Sequence, residues 1–191
     1  MAPGPRVRSA RSAPSPHGRA GRVGGYANAV FLVFVAACAA FVVATSSSLP
    51  ALVASHFDAA GHANGFMPRT PYMGVMVALV VVVGLVIAIV PAMALRRPDA
   101  RIHLPHRDYW LAPERRDATI AILTAMMRRF AYVPLAFLVY AHWLVVRANG
   151  VSPPLLDARA IRAGIFLFVI ATLLFVIVMI ARFRSVPARR R

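Results

Sequence analysis

Four long apolar runs, separated by polar and Arg-rich segments, dominate the pattern of the chain. They are residues 26–44, 72–95, 130–146 and 163–181. None contains a charged residue, and each is close to the length that a helix needs to cross the hydrocarbon core of a bilayer. Because only helices and closed barrels satisfy their backbone groups in lipid, the pattern predicts an all-α integral membrane protein with four transmembrane helices.

The polar segments divide the chain further. Residues 1–25, rich in Arg, Pro, Ser and Gly, predict a disordered cytoplasmic tail, and residues 183–191 predict a second basic tail. Residues 26–95 form one region, with a loop over 45–71 between its two spans. In residues 96–129, Pro113 and Glu114 suit the start of a helix. An apolar stripe at three- and four-residue spacing then predicts an amphipathic helix at the membrane interface. The stripe consists of Ile120, Leu123, Met127 and Phe130.

The arginines predict which side of the membrane each segment occupies. The chain has 22 basic residues, all of them Arg, and 18 lie in the two tails and the segment between spans two and three. The other four are Arg69, Arg147, Arg159 and Arg162. The positive-inside rule therefore places both termini in the cytoplasm and the 45–71 loop outside. Since these arginines flank apolar runs, the net charge of +16 indicates topology and argues against nucleic-acid binding.

The 45–71 loop holds the most suggestive polar side chains, His56, Asp58 and His62. Three such groups within seven residues would suit a metal site on an external loop. A structural interpretation is favoured: Asp58 or Asn64 bonds to its own backbone in a turn, while Gly61 and Gly65 supply positive φ. His56 and Phe57 then fold back onto the helix ends, with the imidazole bonded to a backbone group. Peptide or ligand recognition is the third alternative, because loops held by rigid helices often carry function.

A second polar cluster lies in the predicted cytoplasmic segment. It consists of His103, His106, Asp108, Glu114 and Asp117. Glu114 with a His would suit acid–base chemistry, but "PERRD" favours a solvated helix start with local Arg–carboxylate pairs. The further alternative is a contact with a cytoplasmic partner, made by Asp108, Tyr109, Trp110, Glu114 and Arg115. Near the end of span three, His142 predicts a hydrogen bond between helices rather than a proton carrier.

Several function classes are disfavoured by the sequence. No span has a charged residue at its middle, which argues against ion-coupled transport. Phosphate-binding loops, nucleophile elbows and HExxH motifs are missing from the sequence, and its single cysteine, Cys38, allows no disulfide within the chain. We therefore predict no catalytic residue and no cofactor.

The stretch "LPALVASHFDAAGHANGF" resembles the DUF1648 domain of bacterial membrane proteins, which include the SdpI-type immunity proteins. The residues that match its pattern are Leu49, Pro50, His56, Phe57, Gly61, Gly65, Phe66 and Arg69. The resemblance covers roughly residues 28–95, and His62 falls outside the pattern. It implies an integral membrane protein, and in the immunity proteins a role in protecting the envelope from a toxin while sequestering a repressor.

These observations together predict a non-enzymatic, multi-pass protein of the bacterial cytoplasmic membrane. Its outer loop would take part in envelope immunity or sensing by contacting a peptide or toxin, and its inner loop would contact a cytoplasmic regulator. The alternatives are an accessory subunit of a membrane complex, and a metal-dependent membrane enzyme that uses the outer loop. The small residues of the first span and the short third span would also permit a homo-oligomer within the bilayer.

Overall fold

The computed structural model describes residues 16–97 and 102–185, with side chains from residue 25 onward. The described residues divide into two compact units, one up to Phe34 and the other from Val35 onward. Its elements, in chain order, are α1 Pro16–Ser46, β1 Leu52–Phe57, β2 Ala63–Pro68, α2 Arg69–Arg96, α3 Arg107–Trp110, α4 Pro113–Phe130, α5 Tyr132–Ala148 and α6 Ala158–Arg184. The protein is therefore mostly helical, as predicted.

Four stretches are long and apolar enough to cross a membrane: Gly25–Ser46, Arg69–Arg96, Pro113–Ala148 and Ala158–Arg184. This finding confirms the four predicted spans. The clearest sign of an apolar surrounding is α6, a helix of 27 residues of which only Gly164 and Phe183 are buried. Together with the length and composition of the four stretches, this exposed apolar surface indicates a multi-pass membrane protein.

The largest differences from the predicted boundaries are at the start of α1 and around the third span. Helix α1 begins at Pro16, so residues 16–25 are helical where a disordered tail was predicted. The rest of that tail, the basic residues at 186–191 and the inner-loop residues 98–101 lie outside the described residues. The helical stretch that contains the third span is also longer than predicted, because α4 and α5 follow each other over 36 residues, Pro113–Ala148.

The interruption between α4 and α5 has a local cause. Helix α4 ends at Phe130 and α5 begins at Tyr132, with Ala131 between them. Pro134 lies in the first turn of α5, has no backbone N–H, and would clash with the Phe130 carbonyl in a continuous helix. The predicted amphipathic helix is thus a separate element, and Ile120 and Leu123 of its stripe are buried. Its position at the membrane interface stays a prediction.

The helices pack through close approaches and aromatic pairs. Helix α2 packs against α4 and α5, and α5 packs against α6. Gly84 of α2 is buried, and a Cβ there would lie 3.3 Å from the buried Leu135 of α5. Between α5 and α6, the Phe137 and Phe168 rings lie 5.1 Å apart. Small residues at such crossings let apolar helices approach closely in lipid.

Two apolar clusters mark the opposite ends of α2. Leu49, Val53 and Tyr72 form one cluster, at the start of the helix. The other lies where α2 ends, against Leu95, and consists of Ile102, Trp110, Ile120, Leu123 and Phe183. We call these regions the hairpin end (residues 47–71 and 149–162) and the tryptophan end (residues 95–97, 102–123 and 179–185).

Candidate functional site

The loop between α1 and α2 is an antiparallel β-hairpin. Val53 of β1 pairs with Met67 of β2, and both pack into the cluster at the hairpin end. Residues opposite each other in an antiparallel pair point to the same face, so the next pairs, Leu52–Pro68 and Ala54–Phe66, lie on the other face. Leu52 and Phe66 are 59% and 52% exposed. The hairpin therefore buries Val53 on one face, and on the other it buries Ala54 but exposes a leucine and a phenylalanine.

The turn of the hairpin is held by Asp58. Its Oδ1 accepts hydrogen bonds from the backbone N–H groups of Ala60 and His62, each at 2.9 Å. Gly61 has a φ of +98°, which favours glycine. The predicted turn chemistry is thus confirmed for Asp58 and Gly61. Gly65 does not have positive φ; it lies opposite His56, and a Cβ at Gly65 would lie 3.0 Å from the His56 Cβ.

Hydrogen bonding makes Asp58 a stronger acid than usual. The backbone N–H groups of His62 and Ala60, together with the His62 ring, hold the pKa of the Asp58 carboxyl below its ordinary value. Because the folded-state pKa is the lower one, the carboxylate stabilises the turn above the ordinary pKa of Asp, about 3.9. That contribution is lost as the pH falls through the depressed pKa of the folded state.

Acid titration should therefore loosen the turn. We expect the amide protons of Ala60 and His62 to shift upfield together below about pH 4, as their acceptor is protonated. NMR spectra of the protein in detergent, recorded across the titration, measure this. In Asp58→Asn the same two signals should stay constant over that range. A shift of equal size in the variant would show that Asp58 does not hold the turn.

A second segment, between α5 and α6, docks onto the hairpin. The Leu156 N–H donates to the Gly61 carbonyl at 2.9 Å, and Leu155 forms a β-bridge with His62. The Asn149 side chain pairs with Ala54, accepting from its N–H at 2.8 Å and donating to its carbonyl at 3.0 Å. None of these contacts was predicted, because they join residues that lie 93 or more positions apart in sequence.

Asn149→Asp should destabilise the hairpin end. The aspartate would keep the oxygen that faces the Ala54 N–H but would lose the donor to the Ala54 carbonyl and place a charge beside it. We expect a loss of about 1–3 kcal/mol in the free energy of unfolding. Unfolding by SDS in mixed micelles measures it. Asn64→Asp is the matched control, since Asn64 is exposed on β2, and an equal loss there would contradict the role of the pairing.

Arg69 connects the hairpin to the end of α1. Its guanidinium donates to the carbonyls of Ser47 and Leu49, at 3.3 and 3.0 Å, and its backbone N–H donates to the Ala51 carbonyl. The carbonyls that follow the last turn of a helix lack intrahelical partners. Arg69 therefore serves a structural role in the DUF1648-like pattern. Leu49, which belongs to the same pattern, also has a structural role, because it is only 3% exposed and packs in the cluster at the hairpin end.

The predicted metal ligands do not come together. The His62 Nδ1 lies 3.4 Å from the Asp58 carboxylate, but both side chains are exposed. His56 is also exposed, and its Nδ1 pairs with the Ser55 hydroxyl at 3.1 Å. Within residues 16–97 and 102–185, no group of three or more His, Cys, Asp or Glu side chains could hold a metal ion. The expectation that His56 folds back to bond with a backbone group was also wrong.

A buried polar cluster lies beneath the hairpin. His142 of α5 is fully buried, with its Nε2 2.8 Å from the Thr45 Oγ1 and its Nδ1 3.0 Å from the Tyr72 hydroxyl. The Thr45 hydroxyl donates to the Phe41 carbonyl at 2.7 Å, so its oxygen accepts from an Nε2–H. Nδ1 is then the acceptor of the Tyr72 proton. The predicted hydrogen bond between helices is confirmed, and in a neutral ring the proton lies on Nε2.

At the tryptophan end, the predicted partner contacts separate into two groups. Trp110 is buried, and its indole N–H donates to the Phe183 carbonyl at 2.8 Å, so it belongs to the core and is not a docking residue. The Arg115 guanidinium lies 4.1 Å from the centre of the Tyr109 ring and donates to the Tyr109 carbonyl. Asp108 and Glu114 are exposed. Among the described residues they form no salt bridge, contrary to the predicted Arg–carboxylate pairs.

Comparison with known proteins identifies one part of the chain. Residues 32–83 match the family model described as a domain of unknown function (DUF1648). This match covers the end of α1, the hairpin and the first half of α2. No curated protein and no solved structure matches the chain.

Proposed function

We propose, from the match of residues 32–83 to the DUF1648 domain model, that the hairpin end recognises a peptide at the outer surface of a bacterial cytoplasmic membrane. The protein would act without catalysis, by binding a toxin or another envelope-active peptide. One observation carries the proposal: a hairpin fixed on two membrane helices exposes Leu52 and Phe66 on the face opposite the buried Val53.

The fixed geometry of the hairpin supports binding. Asn149 and Leu156 tie it to the second loop, and Arg69 ties it to the end of α1. A rigid surface loses less conformational entropy on binding than a mobile loop does. His56 and the exposed pair Leu52 and Phe66 then offer one polar and two apolar contacts, which is the mixed character of peptide-binding surfaces.

The arginine distribution supports an outward-facing hairpin. Only Arg69, Arg147, Arg159 and Arg162 lie in or beside the hairpin end, whereas the other 18 arginines lie in the two tails and in the segment between the second and third spans. By the positive-inside rule, the tryptophan end then faces the cytoplasm. A cytoplasmic regulator would meet the exposed side chains of Asp108, Glu114 and Arg115 there, since Trp110 is buried.

An accessory role in a larger membrane complex is the second candidate. It is favoured by α6, whose apolar surface is almost entirely exposed and could contact another membrane protein or a second copy of this chain. Crosslinking in native membranes, from a photoreactive residue placed at Leu174, separates the two. Adducts with one protein partner support an accessory role, and adducts with lipid alone would refute an accessory role that uses α6.

The proposal is tested by deleting the gene and challenging the cells with envelope-active peptides. We expect deletion to raise sensitivity, and the wild-type gene to restore resistance. Phe66→Ala and His56→Ala should fail to restore it while reaching the membrane in normal amounts. Val86→Ala is the matched control, because Val86 is similarly exposed but lies within the α2 span. Unchanged sensitivity on deletion, or full restoration by all three variants, would refute peptide recognition.

Metal-dependent catalysis is tested separately. Purified protein should contain less than about a tenth of a zinc ion per chain by elemental analysis, since Asp58 and His62 supply only two ligands where a catalytic site uses three. One ion per chain, lost in His62→Ala, would support the enzyme instead.

A further inference from the structure

The loop before α3 borders an open cavity at the tryptophan end. The cavity has a volume of about 490 Å³ and is lined by Ile102, His103, Leu104, Pro105 and Arg107. Its polar side chains are His103 and Arg107, and both are exposed. Within the described part of the chain, neither side chain has a hydrogen bond or an ion pair. The cavity thus combines an apolar wall with two donors that have no partner among the described residues.

The wall of this cavity is held by the core. Ile102 is buried in the cluster of the tryptophan end, and Leu104 packs against the same cluster. His106 has a φ of +51°, which turns the chain sharply between Pro105 and Arg107. The His106 carbonyl then accepts from the N–H groups of Tyr109 and Trp110, and the Trp110 indole anchors the turn to α6. These contacts therefore hold the backbone of Arg107 in one position beside the cavity.

Positive charge is in excess around the cavity. The tryptophan end has seven arginines, namely Arg96, Arg97, Arg107, Arg115, Arg116, Arg182 and Arg184. It has three carboxylates, Asp108, Glu114 and Asp117. No ion pair joins the two sets among the described residues. Arg115 and Arg116 donate to backbone carbonyls, and Arg182 lies over the Trp110 ring, so none of these three is paired with a carboxylate of the described residues.

The cavity also lies where two membrane helices end. Helix α2 ends at Arg96 and α6 ends at Arg184, and the exposed Met93 and Ile180 lie one turn before those ends. In a bilayer this is the level at which acyl chains meet lipid headgroups. Basic pockets of this kind, at the ends of membrane helices, suit anionic headgroups.

We propose that this cavity binds the phosphate of an anionic phospholipid. The Arg107 guanidinium offers two parallel N–H donors to the phosphate oxygens, and His103 offers a further donor. The apolar wall of Ile102, Leu104 and Pro105 packs against the glycerol and the first acyl carbons. The other arginines attract the lipid through their field, while Arg107 fixes its position.

The test uses the full chain in nanodiscs of phosphatidylcholine, alone or with a minority of phosphatidylglycerol. Native mass spectrometry after release counts the phosphatidylglycerol that stays bound. We expect the wild-type protein to retain phosphatidylglycerol. Arg107→Gln should retain on the order of tenfold less, because it loses a charge-assisted hydrogen bond to the phosphate. Arg184→Gln is the matched control, since it removes the same charge from the same end without lining the cavity. It should keep retention within a factor of about two.

Three results would overturn the proposal. Equal losses in Arg107→Gln and Arg184→Gln would mean that anionic lipid gathers by charge alone. Retention of phosphatidylcholine and phosphatidylglycerol in proportion to their abundance would mean that there is no selective site. Displacement of the lipid by millimolar inorganic phosphate would mean that the cavity recognises a free anion. Arg107→Lys keeps the positive charge but loses the planar guanidinium with its two parallel donors. Partial recovery of phosphatidylglycerol retention in this variant would support the proposal.

Discussion

Replacing His142 with alanine is expected to lower the free energy of unfolding by about 2–4 kcal/mol. The fully buried ring stacks on Tyr72, with 5.7 Å between ring centres, and connects α5 to α1 and α2 through Thr45 and Tyr72. Alanine would leave a cavity and deprive the buried Tyr72 hydroxyl of its acceptor. SDS-induced unfolding in mixed micelles measures the loss.

Two further variants test this explanation. Trp143→Ala, at the next position and 38% exposed, should cost less than about 1 kcal/mol. Tyr72→Phe removes only the hydroxyl and should cost about 0.5–1.5 kcal/mol. In the double variant, His142→Ala with Tyr72→Phe, the total loss should fall below the sum, because no buried hydroxyl is left unpaired. Strict additivity, or a stable His142→Ala, would contradict the hydrogen-bonded connection.

Gly61→Ala is expected to detach the second loop from the hairpin and to cost about 2–4 kcal/mol. The φ of +98° disfavours any side chain, and a Cβ at Gly61 would collide with the backbone carbonyl of Leu156. Since both partners are backbone, neither can move aside without breaking the hydrogen bond from the Leu156 N–H to the Gly61 carbonyl. Hydrogen exchange at the Leu156 amide should accelerate in parallel with the loss of stability.

Gly74→Ala is the matched control for that substitution. Gly74 lies in α2, and a Cβ there meets nothing within 4 Å. Alanine favours helix more than glycine does, so this variant should be unchanged or stabilised by up to about 1 kcal/mol. If the two glycine variants have the same stability, the contact between the hairpin and Leu156 does not contribute to the fold.

The membrane helices could be predicted from sequence because an uncharged apolar run is a local property. The same reasoning missed β1 and β2. In β1, "LVASHF" does not alternate between apolar and polar residues, since Leu52 is exposed while both Val53 and Ala54 are buried. The hairpin therefore depends on packing and on the Asp58 turn rather than on a period-two pattern. Residues 16–25 were predicted to be disordered because their composition is polar, yet they extend α1.

The candidate site was predicted only in part for a different reason. The contacts of Asp58 and the positive φ of Gly61 lie within one turn of five residues, from 58 to 62. Such a turn can be predicted from sequence because its residue types favour it locally. Asn149, Leu155 and Leu156 reach the hairpin across the fold, and nothing in a single sequence indicates such pairings. Trp110 was predicted to be a docking residue, but the end of α6 covers it, which is again a contact over a long sequence separation.

The most direct test of the proposed function asks which side of the membrane the hairpin faces. Cys38 is buried, so Cys38→Ser provides a background for single cysteines at Asn64→Cys in β2 and Ala118→Cys in α4, both at exposed positions. Intact cells are treated with a membrane-impermeant maleimide, before and after permeabilisation of the cytoplasmic membrane. We predict that the cysteine at position 64 reacts in intact cells and that the one at 118 reacts only after permeabilisation. The reverse pattern would place the hairpin in the cytoplasm and contradict recognition of an external peptide.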